Sequence, residues 1–151
     1  MSPLSPEPSR HLAIVTCMDC RIDLGRALGL ELGQAHVLRN AGGAVTDDTI
    51  RSLAISQRKL GTREVLVIHH TRCGMQGVSE DDFRAELQRD SGLAPGFAIE
   101  GFADLEEDVR QSVRRVRHSP FLPHRGQVRG YILDVDTQEL REVELPEDAD
   151  E

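Results

Sequence analysis

Three short apolar runs constrain this chain more than any other feature. Residues 11–16 read HLAIVT, residues 35–39 read AHVLR, and residues 64–69 read EVLVIH. Each run is continuous rather than alternating. A strand with one wet face alternates polar and apolar side chains, so a continuous run belongs where both faces are covered, as in a parallel sheet between helices. Helical spacing fills the gaps. Ile50, Leu53, Ala54 and Leu60 recur with helical period over 47–60, and Thr46 or Asp47 is placed to cap that helix. Ser79-Glu80-Asp81-Asp82 resembles a capping box ahead of Phe83 and Leu87. Leu105, Val109, Val113 and Val116 form a stripe over 104–117. The Gly- and Pro-bearing stretch 91–101 reads as a loop. Residues 130–135 and 139–143 read as a last strand folded into a hairpin about Asp136-Thr137-Gln138. The order strand, helix, strand, helix, strand, helix, helix, strand predicts an α/β domain with a mostly parallel central sheet flanked by helices.

Length and charge narrow the function. A chain of 151 residues fits one domain, and with four Phe, one Tyr and no Trp its core must be aliphatic. A net charge of −8 argues against a nucleic-acid partner. We expect an N-terminal arm over 1–10, a folded domain over 11–145 and an acidic tail over 146–151. No run is long enough to span a membrane and no signal core is visible, so the expected location is cytoplasmic. Three cysteines in a reducing compartment are expected as metal ligands or buried thiols rather than disulfides.

Two of the apolar runs end in chemistry. The first is followed by Cys17-Met18-Asp19-Cys20-Arg21, the third by His70-Thr71-Arg72-Cys73-Gly74. Ligands bind beyond the carboxyl ends of such strands, where Cys17 and His70 are expected to lie. Two thiolates and an imidazole suit zinc, and three protein ligands with a fourth place for water or a carboxylate describe a catalytic site. If the chain stays extended past Thr16, Cys17, Asp19 and Arg21 face one way and Met18 and Cys20 the other. Arg21 can then hold Asp19 by a bidentate pair, giving Asp19 two states, on the metal or held away from it. Gly74 permits close backbone packing beside Cys73. His69, one residue before His70, should point to the opposite face and serve packing or hydrogen bonding. His11, His36, His118 and His124 have no ligand partners at useful spacing.

Cys20 keeps other readings open. Cys17 and Cys20 with His70 and Cys73 can close a Cys3His structural zinc module. Cys17-x-x-Cys20 after a strand can be a redox dithiol. The reading adopted here keeps Cys20 as a packed thiol outside the ligand set.

The motif pair CMDCR at 17–21 and HHTRC at 69–73, with Arg39-Asn40-Ala41-Gly42-Gly43 between them, resembles the β-class carbonic anhydrases, most nearly their short bacterial members. The resemblance spans roughly residues 11–135. It implies a parallel sheet with an antiparallel edge strand, and a homodimer or dimer of dimers with the arm on the partner. It implies one Zn2+ per chain on Cys17, His70 and Cys73, with Asp19 as a fourth ligand in a closed state only. The implied reaction is reversible hydration of CO2 to bicarbonate and a proton by zinc-bound hydroxide. Asp19 and Arg21 would be the catalytic residues, and Asn40, Ala41, Gly42 and Gly74 would bind substrate. Arg72, Gly43 and Cys20 depart from common members. A related zinc hydrolase of CS2 or COS stays open as a second activity.

Overall fold

The structure, a computed structural model, describes residues 4–146. The first residues of the expected arm and nearly all of the expected acidic tail lie outside the described residues.

A five-stranded sheet runs in the order β2-β1-β3-β4-β5. Its strands are β1 (Leu12–Cys17), β2 (Ala35–Asn40), β3 (Glu64–His70), β4 (Val128–Leu133) and β5 (Leu140–Glu142). The first four are parallel to one another, and β5 pairs antiparallel with β4. This is the expected fold class. The central strands are buried on both faces, as their continuous apolar runs require: every residue of β1, and every residue of β3 but Glu64, is buried.

Helices cover the two faces. On one side α2 (Asp47–Leu60) and α4 (Leu105–Arg117) bring Leu53, Val109, Val113 and Val116 onto Ala13, Val15, Val65 and Val67. Each such side chain contributes about 1.5–3 kcal/mol by leaving water. On the other side the five-residue α1 (Leu24–Leu28) joins Ile22 against Leu12, Ile14, Leu66 and Ile68. The caps follow the sequence. Thr46 accepts from Thr49 N at α2, Ser79 accepts from Asp82 N at α3 (Glu80–Ser91), and Asp104 accepts from Glu107 N at α4. The helix α3 buries none of its residues.

Several boundaries differ from expectation. His11 has φ 53 and its N–H bonds Pro8 O, so it turns the chain and β1 starts at Leu12. Cys17 and His70 are the last residues of their strands, not the first after them. β4 starts two residues early and stops at Leu133, because Asp134 Oδ1 accepts from Asp136 N and Thr137 N and bends the chain into the hairpin.

Candidate metal centre

The parallel pairing of β1 with β3 sets the ends of the two strands side by side, with Thr16 opposite Ile68. Cys17 and His70 therefore meet at the carboxyl edge. Arg72, at φ 52, then turns the chain so that Cys73 returns to the same point. The Cys17 Sγ, His70 and Cys73 Sγ ligand atoms lie within 4.8 Å of one another, and all three residues are buried. The metal ligands expected from sequence are thus brought together.

The imidazole is prepared for an ion. His70 Nδ1 lies 2.8 Å from Thr71 O, a carbonyl that can only accept, so Nδ1 carries the proton. Nε2 is left with a free lone pair, and it is buried with no hydrogen-bond partner among the described residues. A buried unpartnered nitrogen beside two thiols is costly in a bare protein and natural in a metal site. The residues present therefore fit a metal ion.

Each sulfur also has a donor. Gly42 N–H reaches Cys17 Sγ at 3.3 Å and Met75 N–H reaches Cys73 Sγ at 3.5 Å. The Cys17 thiol lies below its ordinary value. A hydrogen bond from Cys73 pulls it down most, against burial, with help from His70 and the amides of Asp19 and Gly42. Cys73 is pushed up in turn, because it donates to Cys17 and is buried. Burial works to lower His70, but the Cys17 sulfur and the Thr71 carbonyl outweigh it and the net shift is upward.

Asp19 and Arg21 form the expected bidentate pair, with Nε to Oδ1 at 2.9 Å and Nη2 to Oδ2 at 2.6 Å. The route to it differs from the extended chain anticipated. Asp19 Oδ1 also accepts Arg21 N–H at 2.8 Å, and Ile22 N–H bonds Asp19 O. The segment is a turn. Arg21 holds the Asp19 carboxyl well below the usual carboxylate range. Asp19 Oδ2 lies 3.6 Å from His70 Nε2, so the carboxylate borders the ligands while held by the guanidinium.

The turn also moves Cys20. It is exposed and outside the three-residue cluster, not the packed thiol expected. A closed Cys3His module is not formed in this structure. Gly74 is the other correction: a Cβ there would meet nothing within 4 Å, so it mediates no close packing. That role falls to Gly43, at φ 64, where a Cβ would stand 3.0 Å from Thr16 C and 3.1 Å from Cys17 N. His69 faces away from His70, as expected, and its Nε2 lies 3.2 Å from Gly43 O. Arg72 directs its side chain to Asp136 and offers only its carbonyl to the site, accepting from Arg21 Nη2 at 2.9 Å.

Two residues with clear positions here carried no role in the sequence reading. Arg39 donates to Cys17 O at 2.9 Å and to Asp19 O at 2.7 Å, clamping the turn from β2. Gln138, at φ 64 in the hairpin, donates to Arg21 O and accepts from Asp23 N. A charged residue next to the end of a strand was a visible signal for Arg39. Gln138 was marked only as part of the hairpin turn, with nothing to tie it to the site.

The residues expected to bind substrate are placed differently from one another. Asn40 spends its amide inside the turn, donating to Ala44 O and accepting from Ala44 N. Asn40 and Ala41 line an open groove of about 990 Å3 with Met75, Ile50, Phe83 and Phe97. Gly42 is buried behind Met75, and Gly74 is exposed. None of the three ligand side chains lines that groove, so it lies beside the centre rather than over it.

A family model described as carbonic anhydrase matches residues 12–94. The β-carbonic anhydrase 1 of Mycobacterium tuberculosis is 52% identical over 141 residues, covering 93% of this chain and 86% of that protein. A carbon disulfide hydrolase of Acidithiobacillus thiooxidans is 33% identical over 154 residues, covering 88% and 77%. The crystal structure of a carbonic anhydrase from Streptococcus mutans superposes with a TM-score of 0.87 at 46% identity, over 95% of this chain and 87% of that one. With the Cys-x-Asp-x-Arg and His-x-x-Cys motifs converging at one sheet edge, this chain belongs to the β-carbonic anhydrase family.

Proposed function

We propose that the chain is a zinc-dependent carbonic anhydrase that interconverts CO2 and water with bicarbonate and a proton. The observation that carries this reading is the unpartnered His70 Nε2, buried between Cys17 and Cys73 with Asp19 alongside. Two thiolates and one imidazole are a donor set that favours zinc over the harder cations. Cys17, His70 and Cys73 would hold the ion. When bound, zinc supplies the Lewis acidity that lets water ionise near neutral pH.

The protein's own groups do the rest. His70 offers Nε2 because the Thr71 carbonyl holds the proton on Nδ1. Asp19, kept ionised by Arg21, accepts a hydrogen bond from the attacking water, so that an oxygen lone pair faces the CO2 carbon. Arg21 keeps that carboxylate from becoming a ligand, and Arg39 and the Arg72 carbonyl fix the turn on which both sit. Residues 40–42 and Gly74 would flank the substrate, and the released proton passes to buffer. Because two thiolates donate more charge than imidazoles would, activity should rise toward alkaline pH.

The homodimer belongs to the same proposal. The helix α3 has no buried residue, Phe83 is 38% exposed and Phe97 is 64% exposed beside the groove. A second copy covering this apolar wall would close the approach to the centre. The arm over 1–10, the zinc domain over 11–145 and the acidic tail over 146–151 remain the proposed organisation, in the cytoplasm. No helix among the described residues is long and apolar enough to cross a membrane.

The similarity to a carbon disulfide hydrolase favours one second reading, CS2 or COS as substrate. Stopped-flow CO2 hydration on metal-quantified protein, from about pH 7 to about pH 9, separates the two. A metal-dependent rate that rises with pH and disappears in Asp19→Ala supports the anhydrase. Stoichiometric zinc with no hydration, together with sulfide release from CS2, would replace it with the hydrolase.

A further inference from the structure

Gln138 has no part in the proposed reaction, yet it occupies a strained backbone position. It sits in the β4–β5 hairpin at φ 64, in the left-handed region where a side chain is disfavoured and glycine is at home. A non-glycine residue persists there when the surrounding contacts hold it. Its own N–H bonds Asp134 O at 2.7 Å, which closes the turn and needs no side chain. The side chain is nevertheless buried and fully used. Nε2 donates to Arg21 O at 2.8 Å and to Val135 O at 3.0 Å, and Oε1 accepts from Asp23 N at 2.9 Å. Both N–H bonds meet carbonyl oxygens and the oxygen meets an amide, so the carboxamide can face only one way. One of these bonds stays within the hairpin. The other two reach across 117 and 115 positions of sequence to the turn that carries Arg21.

That turn is held from β2 on one flank. Arg39 donates to Cys17 O and Asp19 O, and Met18 N–H bonds Asn40 O, so the chain is anchored as far as Asp19. Beyond Asp19 the turn closes on itself, through Arg21 N–H to Asp19 Oδ1 and Ile22 N–H to Asp19 O. Among the described residues, the hydrogen bonds that reach the main chain of 21–23 from elsewhere in the fold come from Gln138. The Arg21 side chain needs such support. It is 40% exposed, and an ion pair so open to water is weak and has a long side chain to order. With its main chain fixed, less freedom is lost when Nε and Nη2 reach Asp19 and Nη2 reaches the Arg72 carbonyl.

We propose that Gln138 is a positioning residue whose bond to Arg21 O fixes the main chain from which the Arg21 guanidinium grips Asp19. The consequence for the metal, a carboxylate kept out of the fourth position, rests on the proposed function; the grip itself does not. The simpler account is that Gln138 only stitches the hairpin to the start of α1, while the buried Ile22 and Leu24 hold the turn. That account predicts a change in stability and nothing at the guanidinium.

The Arg21 Nε–H distinguishes the two, because a proton held by a carboxylate exchanges slowly with water. Its signal would be followed by NMR in isotope-labelled, zinc-loaded protein and identified by its loss in Arg21→Lys. Gln138→Gly removes the side chain and suits φ 64. Gln138→Glu keeps the length and an acceptor for Asp23 N, and loses the donor to Arg21 O. In both variants the Arg21 Nε–H should exchange about tenfold faster or more, with the fold intact by circular dichroism. Wild-type exchange in either folded variant would overturn the proposal; in Gln138→Glu it would show that the bond to Arg21 O holds nothing. A wild-type signal that already exchanges as fast as a solvated arginine would overturn it too. Should one variant fail to fold, the other decides. Protein that retains no zinc would defeat the metal reading instead, and the exchange of the Arg21 Nε–H would still be read in that sample.

Discussion

At the residue scale the proposed chemistry turns on Asp19 and the Arg21 guanidinium that holds it. Arg21→Ala should leave the three ligands in place and free the carboxylate to take the fourth position. Metal content should stay at the wild-type level, while CO2 hydration falls by about a hundredfold or more. Full activity in that variant would remove Arg21 from the mechanism. The same pair has a pH signature. Arg21 depresses the folded-state pKa of Asp19, so its stabilisation is complete above the ordinary carboxylate value of about 4 and is lost as the pH falls through the depressed value. The wild type should therefore exceed Arg21→Ala by a constant margin above about pH 4, and the margin should shrink below it. With Arg21 40% exposed, water screens the pair and that margin should be small, read by urea unfolding across pH. The Cys17, His70 and Cys73 cluster was legible in the sequence because cysteine and histidine at strand ends have few other uses. Cys20 was not legible, because Asp19 bonds the amide of Arg21 and bends the chain, which breaks the alternation that would have buried it.

At the scale of elements, the sheet and its covering helices were read from periodicity, while the bounds of β4 and α1 were not. β1, β3, α2 and α4 carry strong patterns, and the structure places each within a residue or so of expectation. The order anticipated a helix between β1 and β2, but five residues are too short for a periodic signal and α1 could not be bounded. The strand ends depended on φ 53 at His11 and on the Asp134 turn, which are tertiary choices. One contact no pattern could show is Gly130 in β4, where a Cβ would collide with Val109 Cγ1 on α4. The helix lies directly on the strand there. Gly130→Ala should cost roughly 1–3 kcal/mol by overpacking, read as a lower urea midpoint. Val109→Ala should recover part of that loss in the double variant, and strict additivity would show that the two residues do not press on each other.

At the scale of the whole molecule, the groove and the unburied α3 are where the proposed dimer would form. Phe83→Asp combined with Phe97→Asp should convert the proposed dimer to a monomer in light scattering, with the fold intact by circular dichroism. A wild-type monomer would make the groove a binding surface for something other than a second copy. The placement of the ligands has a consequence of a different kind. Cys17 and Cys73 stand more than fifty residues apart along the chain, yet one ion would grip both. Such an ion is a cross-link. In the chain-entropy account, closing a loop of that length restricts the unfolded ensemble by about 4 kcal/mol, as a disulfide of equal span would. Chelation should accordingly lower the melting temperature by roughly 10 °C, read by calorimetry with and without the ion. No shift would mean that the ion fastens nothing. With the shift, scarcity of the metal would appear first as missing protein, degraded from its loosened form, and only afterwards as folded subunits that cannot turn over.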